Sequence, residues 1–280
     1  MILVTGATGN VGSSIVDQLL TRNRPVRAFT RDAAKAAAWG PRVEFALGDL
    51  THPDTFARAL NGVKAVFLMN GALDPSAFRQ LLAQATAHGS PRVIFLSSLF
   101  AANPESPIGR LHKDKEDALH ASGLPFAIVR AGGFMSNAYQ WIGSIQSEGV
   151  VYNPTGDGVA ASIDPADIAA VAVHALTTPA LTETLFEVTG SELLNTAKKV
   201  DILSRVLDKP LRIVEVEADA AVQSLLRSGL PPLVASALGE SFASIRAGGA
   251  AQITDTVRRI TGQPPRSFEA WARAHAARFA

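Results

Sequence analysis

The 280-residue chain is 47% hydrophobic and 18% charged, a composition typical of globular proteins rather than of disordered chains. A formal net charge of +1, without any run of lysine or arginine, argues against binding to nucleic acid or to an anionic membrane surface. The lack of cysteine excludes disulfides, thiolate nucleophiles and cysteine-ligated metal centres.

The chain opens on a glycine-rich loop between a predicted strand and a predicted helix. Residues 2–4 form an apolar run, and residues 13–22 carry apolar side chains at helical spacing. Between them lies T-G-A-T-G-N-V-G at positions 5–12. A strand, a glycine-rich turn and a helix N-terminus form the phosphate-binding part of a dinucleotide site. The residues of this loop predicted to bind the cofactor are Gly6, Thr8, Gly9, Asn10, Val11 and Gly12.

Five further apolar runs follow, separated by predicted helices. They are residues 25–30, 43–47, 65–69, 92–96 and 126–129. Short apolar strands that alternate with helices are typical of a parallel sheet covered on both faces. The sequence therefore predicts an α/β fold of the Rossmann type, with a doubly wound parallel sheet.

The alternation changes after Arg130. Residues 134–147 are predicted to be helical, 149–163 to carry one or two short strands, and 185–189 to form a last core strand. Helices dominate from residue 218 onward. We expect one unit over 1–280, in which a dinucleotide-binding core (1–133, with 163–190 returning to it) carries a small, mostly helical substrate-side lobe (134–162 and 191–280).

Two features bear on location. A cleavable signal peptide would destroy the opening motif, because the first strand begins at Met1 or Ile2. The most apolar later stretch, 168–176, is interrupted by His174 and is too short to span a bilayer. We expect a cytoplasmic protein with no membrane segment.

The cofactor prediction depends on the carboxyl ends of the strands, where ligands of open parallel sheets bind. After the second strand, an acid would bond the 2′-hydroxyl of NAD, whereas an arginine would accommodate the 2′-phosphate of NADP. Asp32 is explained as a helix N-cap, and Arg31 offers a planar fork to phosphate with Lys35 one turn further on. This pattern favours NADP(H), with NAD(H) as the alternative. Further predicted cofactor contacts at strand ends are Asp49, Leu50, Met69, Asn70 and Ser97.

Several motifs together resemble the short-chain dehydrogenase/reductase superfamily, in particular its atypical NmrA-like branch. They are T-G-A-T-G-N-V-G at 5–12, G-D-L at 48–50, L-S-S at 96–98, S-G-L-P-F-A-I-V-R-A-G-G-F-M-S-N at 122–137, I-D-P-A-D-I-A at 163–169 and F-E-V-T-G at 186–190. The resemblance covers nearly the whole chain. It implies a Rossmann sheet, a nicotinamide cofactor, a substrate cleft under the C-terminal lobe, and adenine contacts at Asp49 and Leu50. The alternative for Asp49 is a turn residue at the strand end.

The superfamily's catalytic pattern is incomplete in this chain. Its classical members place a tyrosine four residues before a lysine, on the helix after the fifth strand. Here Leu111 stands four residues before Lys115, so the tyrosine is missing. His112 resembles the histidine of an H-x-x-x-E pattern in quinone-reductase relatives, which Glu116 completes; the alternative is a partly exposed histidine on a helix face. Lys115 is predicted to be a solvated charge, since opposite charges surround it at helical spacings.

Polar groups near the expected cleft complete the candidate site. Ser97 stands where a reductase places a carbonyl-polarising serine, or it satisfies backbone groups at the strand end. Phe134, Asn137 and Tyr139 lie on the segment entering the cleft and are predicted to contact substrate. The histidines show no metal-ligand spacing, so no metal is expected.

These residues favour an NADPH-dependent oxidoreductase that reduces a quinone-like or other conjugated small molecule by hydride transfer. Such an acceptor yields a weakly basic anion and therefore needs a positioned acid less than a ketone does. The alternative is a non-catalytic NAD(P)(H)-sensing regulator that acts through a protein partner. Epimerase or dehydratase activity on nucleotide sugars is disfavoured, because the resemblance implies for that branch, too, the tyrosine–lysine pattern that this chain lacks. The oligomeric state is left open.

Overall fold

The main sheet has seven strands, in the order β3-β2-β1-β4-β5-β6-β8, and a separate pair is formed by β7 and β9. The structure is a computed structural model, and it describes residues 1–69, 74–178 and 180–280. Parallel pairing runs from β3 through β6. The strands are β1 (Ile2–Thr5), β2 (Val26–Thr30), β3 (Glu44–Leu47), β4 (Ala65–Leu68), β5 (Arg92–Ser98), β6 (Phe126–Ala131), β7 (Val150–Asn153), β8 (Leu185–Val188) and β9 (Arg212–Glu215).

Helices connect consecutive strands of this sheet, so the predicted doubly wound Rossmann-type fold is confirmed. The helices are α1 (Asn10–Thr21), α2 (Ala33–Ala36), α3 (Pro53–Ala59), α4 (Pro75–Ala87), α5 (Pro107–Ala121), α6 (Ile142–Glu148), α7 (Pro165–Thr177), α8 (Thr196–Leu207), α9 (Ala218–Arg227), α10 (Pro232–Arg246), α11 (Thr256–Thr261) and α12 (Phe268–His275). Within the described residues, none is both long and apolar enough to cross a membrane.

The chain divides into two compact units. The first, the sheet unit, comprises residues 1–131, 165–187 and 259–262. The second, the helical unit, comprises residues 132–164, 188–258 and 263–280. The role of the helical unit in binding substrate stays a prediction.

Apolar packing stabilises the sheet unit around its central strands. Leu3, Val66 and Phe95 are buried in these strands, in one cluster with Phe78 and Leu81 of α4. Burying one such side chain contributes roughly 1.5–3 kcal/mol. These interior positions follow the apolar runs and the helical spacing predicted from the sequence.

The segment predicted to be helical, 134–147, forms two consecutive helices of different type. Residues Met135–Trp141 form a 3₁₀ helix, and only Ile142–Glu148 are α-helical. Serine, asparagine and aromatic residues are weak formers of an α-helix, which accounts for the tighter first turns. Gly149, with φ 65°, ends α6 in the left-handed region that favours glycine.

Candidate functional site

The loop after β1 is packed closely at its glycines. Gly6 has φ 59°, and a Cβ on it would lie 2.0 Å from Sδ of Met69. A Cβ on Gly12 would lie 2.1 Å from the carbonyl oxygen of Gly6, which accepts a hydrogen bond from the Gly9 N–H at 2.9 Å. Gly9 is the N-cap of α1 and has no side chain with which to cap the first N–H groups. This geometry suits a phosphate at the helix N-terminus.

Two threonines tie this loop to the neighbouring strand ends. Oγ1 of Thr5 donates to the Phe67 carbonyl at 2.9 Å and accepts from the Met69 N–H at 2.9 Å. Oγ1 of Thr8 lies 3.3 Å from Oγ1 of Thr30, at the end of β2. The loop and the ends of β2 and β4 are therefore held together. The predicted contact Asn70 lies outside the described residues.

Arg31 follows β2 and carries the most exposed cation at this edge. Its side chain is 80% exposed, and Nη1 lies 3.7 Å from Oδ2 of Asp49. Oδ1 of Asp32 accepts from the N–H groups of Ala34 and Lys35 at 3.0 and 3.2 Å, which confirms Asp32 as an N-cap. The Lys35 ammonium lies 3.8 Å from Asp32. The guanidinium of Arg31 can thus meet a ligand in water-exposed space.

Asp49 and Leu50, which follow β3, have different surroundings. Oδ1 of Asp49 accepts from the Thr51 N–H at 2.9 Å, and this bond, helped by Arg31, keeps the pKa of Asp49 below its ordinary value. That bond confirms the strand-end turn for Asp49. The side chain of Leu50 is buried in the core of the sheet unit. Adenine contact by either residue stays a prediction.

One face of α5 is polar yet buried. His112 is 8% exposed, Lys115 0% and Glu116 2%, beside the fully buried Leu119. The prediction of Lys115 as a solvated charge is therefore wrong, and so is the alternative of His112 as a partly exposed histidine. The sequence spacing could have indicated this burial, because residues 112, 115, 116 and 119 stand at i, i+3, i+4 and i+7 and therefore lie on one helix face with Leu119.

Burial governs the protonation of the two bases on this face. It lowers the pKa of His112 to about 4, reinforced by the charge of Lys115 and opposed by Glu116. Burial also lowers the pKa of Lys115 to about 8, against the opposing charge of Asp74. At neutral pH the face therefore presents an uncharged imidazole one turn from an ammonium.

Glu116 is the centre of a hydrogen-bonded network in the sheet unit. Its two carboxylate oxygens accept from Nε and Nη2 of Arg130 at 2.9 and 2.6 Å. Nη1 of Arg130 also lies 3.4 Å from Glu187 on β8. Oγ of Ser97 donates to Oε1 of Glu116 at 2.6 Å. Ser97 is therefore not arranged as the expected carbonyl-polarising donor, since its single proton goes to Glu116.

The three predicted substrate residues lie in the helical unit. Asn137 is exposed, and Phe134 is partly buried and bridges to Ile163. The ring of Tyr139 packs 5.3 Å from that of Trp271 and is covered by the Arg278 guanidinium at 4.7 Å. Packing accounts for Tyr139, and substrate contact by all three residues stays a prediction.

Comparisons with known proteins agree with this geometry. A family described as NAD(P)H-binding matches residues 6–179. The chain is 37% identical to the NAD(P)H azoreductase of Xenophilus azovorans, over 100% of this chain and 99% of that one. It is 38% identical, with the same coverage, to the (4-alkanoyl-5-oxo-2,5-dihydrofuran-3-yl)methyl phosphate reductase of Streptomyces griseus.

A solved structure shares the fold. The NADPH-dependent quinone oxidoreductase QOR2 of Escherichia coli, complexed with NADPH, superposes with a TM-score of 0.85. The match covers 99% of this chain and 100% of that one at 23% identity. At that identity the likeness shows the fold alone.

Proposed function

The chain belongs to the NAD(P)H-binding family, and from that membership we propose that it is an NADPH-dependent reductase of quinone-like, azo or other conjugated acceptors. The family confirms the expected nicotinamide cofactor. The observation that carries the proposal is the buried His112–Lys115 face of α5, in a chain 37% identical to an NAD(P)H azoreductase. The expected substrate is a small molecule.

The proposed reaction balances with NADPH as the only reductant. Bound NADPH would supply a hydride, with its two electrons, to the acceptor and would be left as NADP⁺. A quinone then becomes a hydroquinone anion, which takes one proton; an azo compound becomes a hydrazo compound in the same way. Because a phenolate is much less basic than an alkoxide, the reduction of a quinone proceeds without the tyrosine that Leu111 replaces.

The side chains on the buried face of α5 are proposed to have different roles in the reaction. His112 is proposed to touch the acceptor as a neutral hydrogen-bond donor, because its pKa of about 4 leaves it uncharged at neutral pH. Lys115 is proposed to supply positive charge to the developing anion. Ser97 is proposed to position Glu116, to which its hydroxyl donates. Phe134, Asn137 and Tyr139 remain the proposed substrate contacts.

A steady-state panel of acceptors tests this function. We expect NADPH oxidation with a benzoquinone and with an azo dye, and little with cyclohexanone as a ketone control. If NADPH binds but no quinone or azo dye is reduced, the chain is instead the cofactor sensor considered above, acting through a protein partner.

Replacing His112 by alanine is expected to lower kcat by about tenfold or more, since a hydrogen bond to the developing anion is lost. NADPH affinity should be unchanged. The matched control is His120→Ala, an exposed histidine on the same helix. Equal losses of kcat in both variants would remove His112 from the chemistry.

The pH profile is expected to report on Lys115. Its ammonium keeps its proton below a pKa of about 8 and loses it above, so kcat should fall as pH rises through about 8. Lys115→Met should remove this step, whereas Lys113→Met, on a more exposed lysine, should retain it. A flat wild-type profile across that range contradicts the role of Lys115.

The proposed preference for NADP(H) is attributed to Arg31. Loss of its guanidinium in Arg31→Ala should weaken NADPH binding by about tenfold and leave NADH binding unchanged. Dissociation constants for both cofactors provide the measurement, with the exposed Arg24→Ala as the control. A wild-type protein that binds NADH more tightly would overturn the assignment.

A further inference from the structure

Lys199, on α8 of the helical unit, carries an ammonium without a carboxylate partner among the described residues. Nζ donates to Oγ of Ser162 at 2.8 Å and lies 5.9 Å from the ring centroid of Phe268. An ammonium has three N–H donors. The contacts in the described structure thus leave donors of Lys199 available to a ligand.

Ser162 offers a second donor at the same place. Its hydroxyl oxygen accepts from Lys199, and its proton has no acceptor in the part of the chain that the structure describes. The backbone here is closely held, because the Ile163 N–H donates to the Gly133 carbonyl at 2.9 Å. On the other side, a Cβ on Gly190 would lie 2.0 Å from the Ser162 carbonyl oxygen. The hydroxyl is therefore presented from a fixed position.

No carboxylate in the described ranges compensates the charge of Lys199. Burial lowers the pKa of Lys199 to about 8, so the group stays protonated at neutral pH despite the cost of desolvation. Arg266 of the same unit, by contrast, has the carboxylate of Asp164 at 3.4 Å. An anionic oxygen beside Lys199 would supply both the missing charge and the missing acceptors.

We propose that Lys199 and Ser162 form a binding site for an oxyanion group, a carboxylate, sulfonate or phosphate, of a small-molecule ligand. The ammonium provides a charge-assisted hydrogen bond, and the Ser162 hydroxyl donates a second one. The group belongs either to the electron acceptor, which rests on the proposed function, or to a separate ligand.

Calorimetric titration with benzenesulfonate tests the site without any turnover. Lys199→Met should weaken binding by about tenfold or more, since a hydrogen bond to a charged group is lost. Ser162→Ala should weaken it less, and Lys198→Met, on the neighbouring exposed lysine, should bind as the wild type does. The proposal is overturned if the wild type does not bind, or if Lys199→Met binds equally well.

A labelling experiment on the wild type covers the case in which Lys199→Met does not fold. Benzenesulfonate should protect Lys199, and not Lys198, from an amine-acylating reagent, as read by peptide mapping. Equal labelling of Lys199 with and without benzenesulfonate contradicts the site.

A carboxylated azo dye and its methyl ester show whether the oxyanion group belongs to the electron acceptor or to a separate ligand. If the acceptor bears it, Lys199→Met raises KM for the acid and leaves KM for the ester unchanged. Equal KM values in wild type and variant assign the site to a separate ligand. Because the titration involves no reduction, a failure of the proposed reductase function would leave its result standing.

Discussion

Arg130→Met is expected to destabilise the protein by about 3–5 kcal/mol, because it leaves the carboxylate of Glu116 buried without its partner. Glu116 is 2% exposed and receives both hydrogen bonds of the Arg130 fork. The free energy of unfolding from urea titration is the measurement.

The control for this prediction lies on the same helix. Lys113→Ala breaks the more exposed ion pair with Asp117, which should cost less than about 1 kcal/mol. The double variant Glu116→Gln/Arg130→Met, which removes both charges, should recover part of the lost stability. A loss in Arg130→Met no larger than that in Lys113→Ala would show that the pair does not stabilise the fold.

Gly12→Ala is expected to weaken NADPH binding by up to about a hundredfold, because the added methyl group must displace closely packed atoms. The added Cβ would lie 2.1 Å from the Gly6 carbonyl oxygen, so the loop that faces the pyrophosphate must shift. A dissociation constant from fluorescence titration, together with a melting curve, separates lost binding from lost folding.

Gly143→Ala is the matched control for Gly12→Ala. No atom lies within 4 Å of a Cβ at Gly143 on α6, so NADPH binding should not change. Wild-type NADPH affinity in Gly12→Ala would mean that this loop does not hold the cofactor.

The sheet unit follows closely from local sequence signals. Each strand is a short apolar run that ends at a polar or glycine residue, and the intervening helices have apolar residues at helical spacing. These elements form in the structure because removing their apolar side chains from water stabilises the fold directly. The prediction that residues 134–147 are helical does not specify the 3₁₀ helix at Met135–Trp141, since apolar periodicity does not separate a 3₁₀ helix from an α-helix.

The cofactor side of the site was more predictable than the catalytic side. The crowding at Gly6 and Gly12 is a backbone requirement that glycine spacing reveals. The prediction for Lys115 is wrong because charged residues at helical spacing usually form exposed pairs. The neighbouring Glu116 is buried with Arg130 of β6 as its partner, and that tertiary contact is not visible in the sequence of α5.

A single-turnover measurement with NADPH deuterated at C4 tests the proposed hydride transfer most directly. The protein–NADPH complex is mixed with a benzoquinone, so that slow product release does not hide the chemical step. We predict that bound NADPH is oxidised in one turnover, and more slowly when deuterium occupies the transferred position. Bound NADPH that is not oxidised, or a rate unaffected by deuterium on either face, would contradict the account.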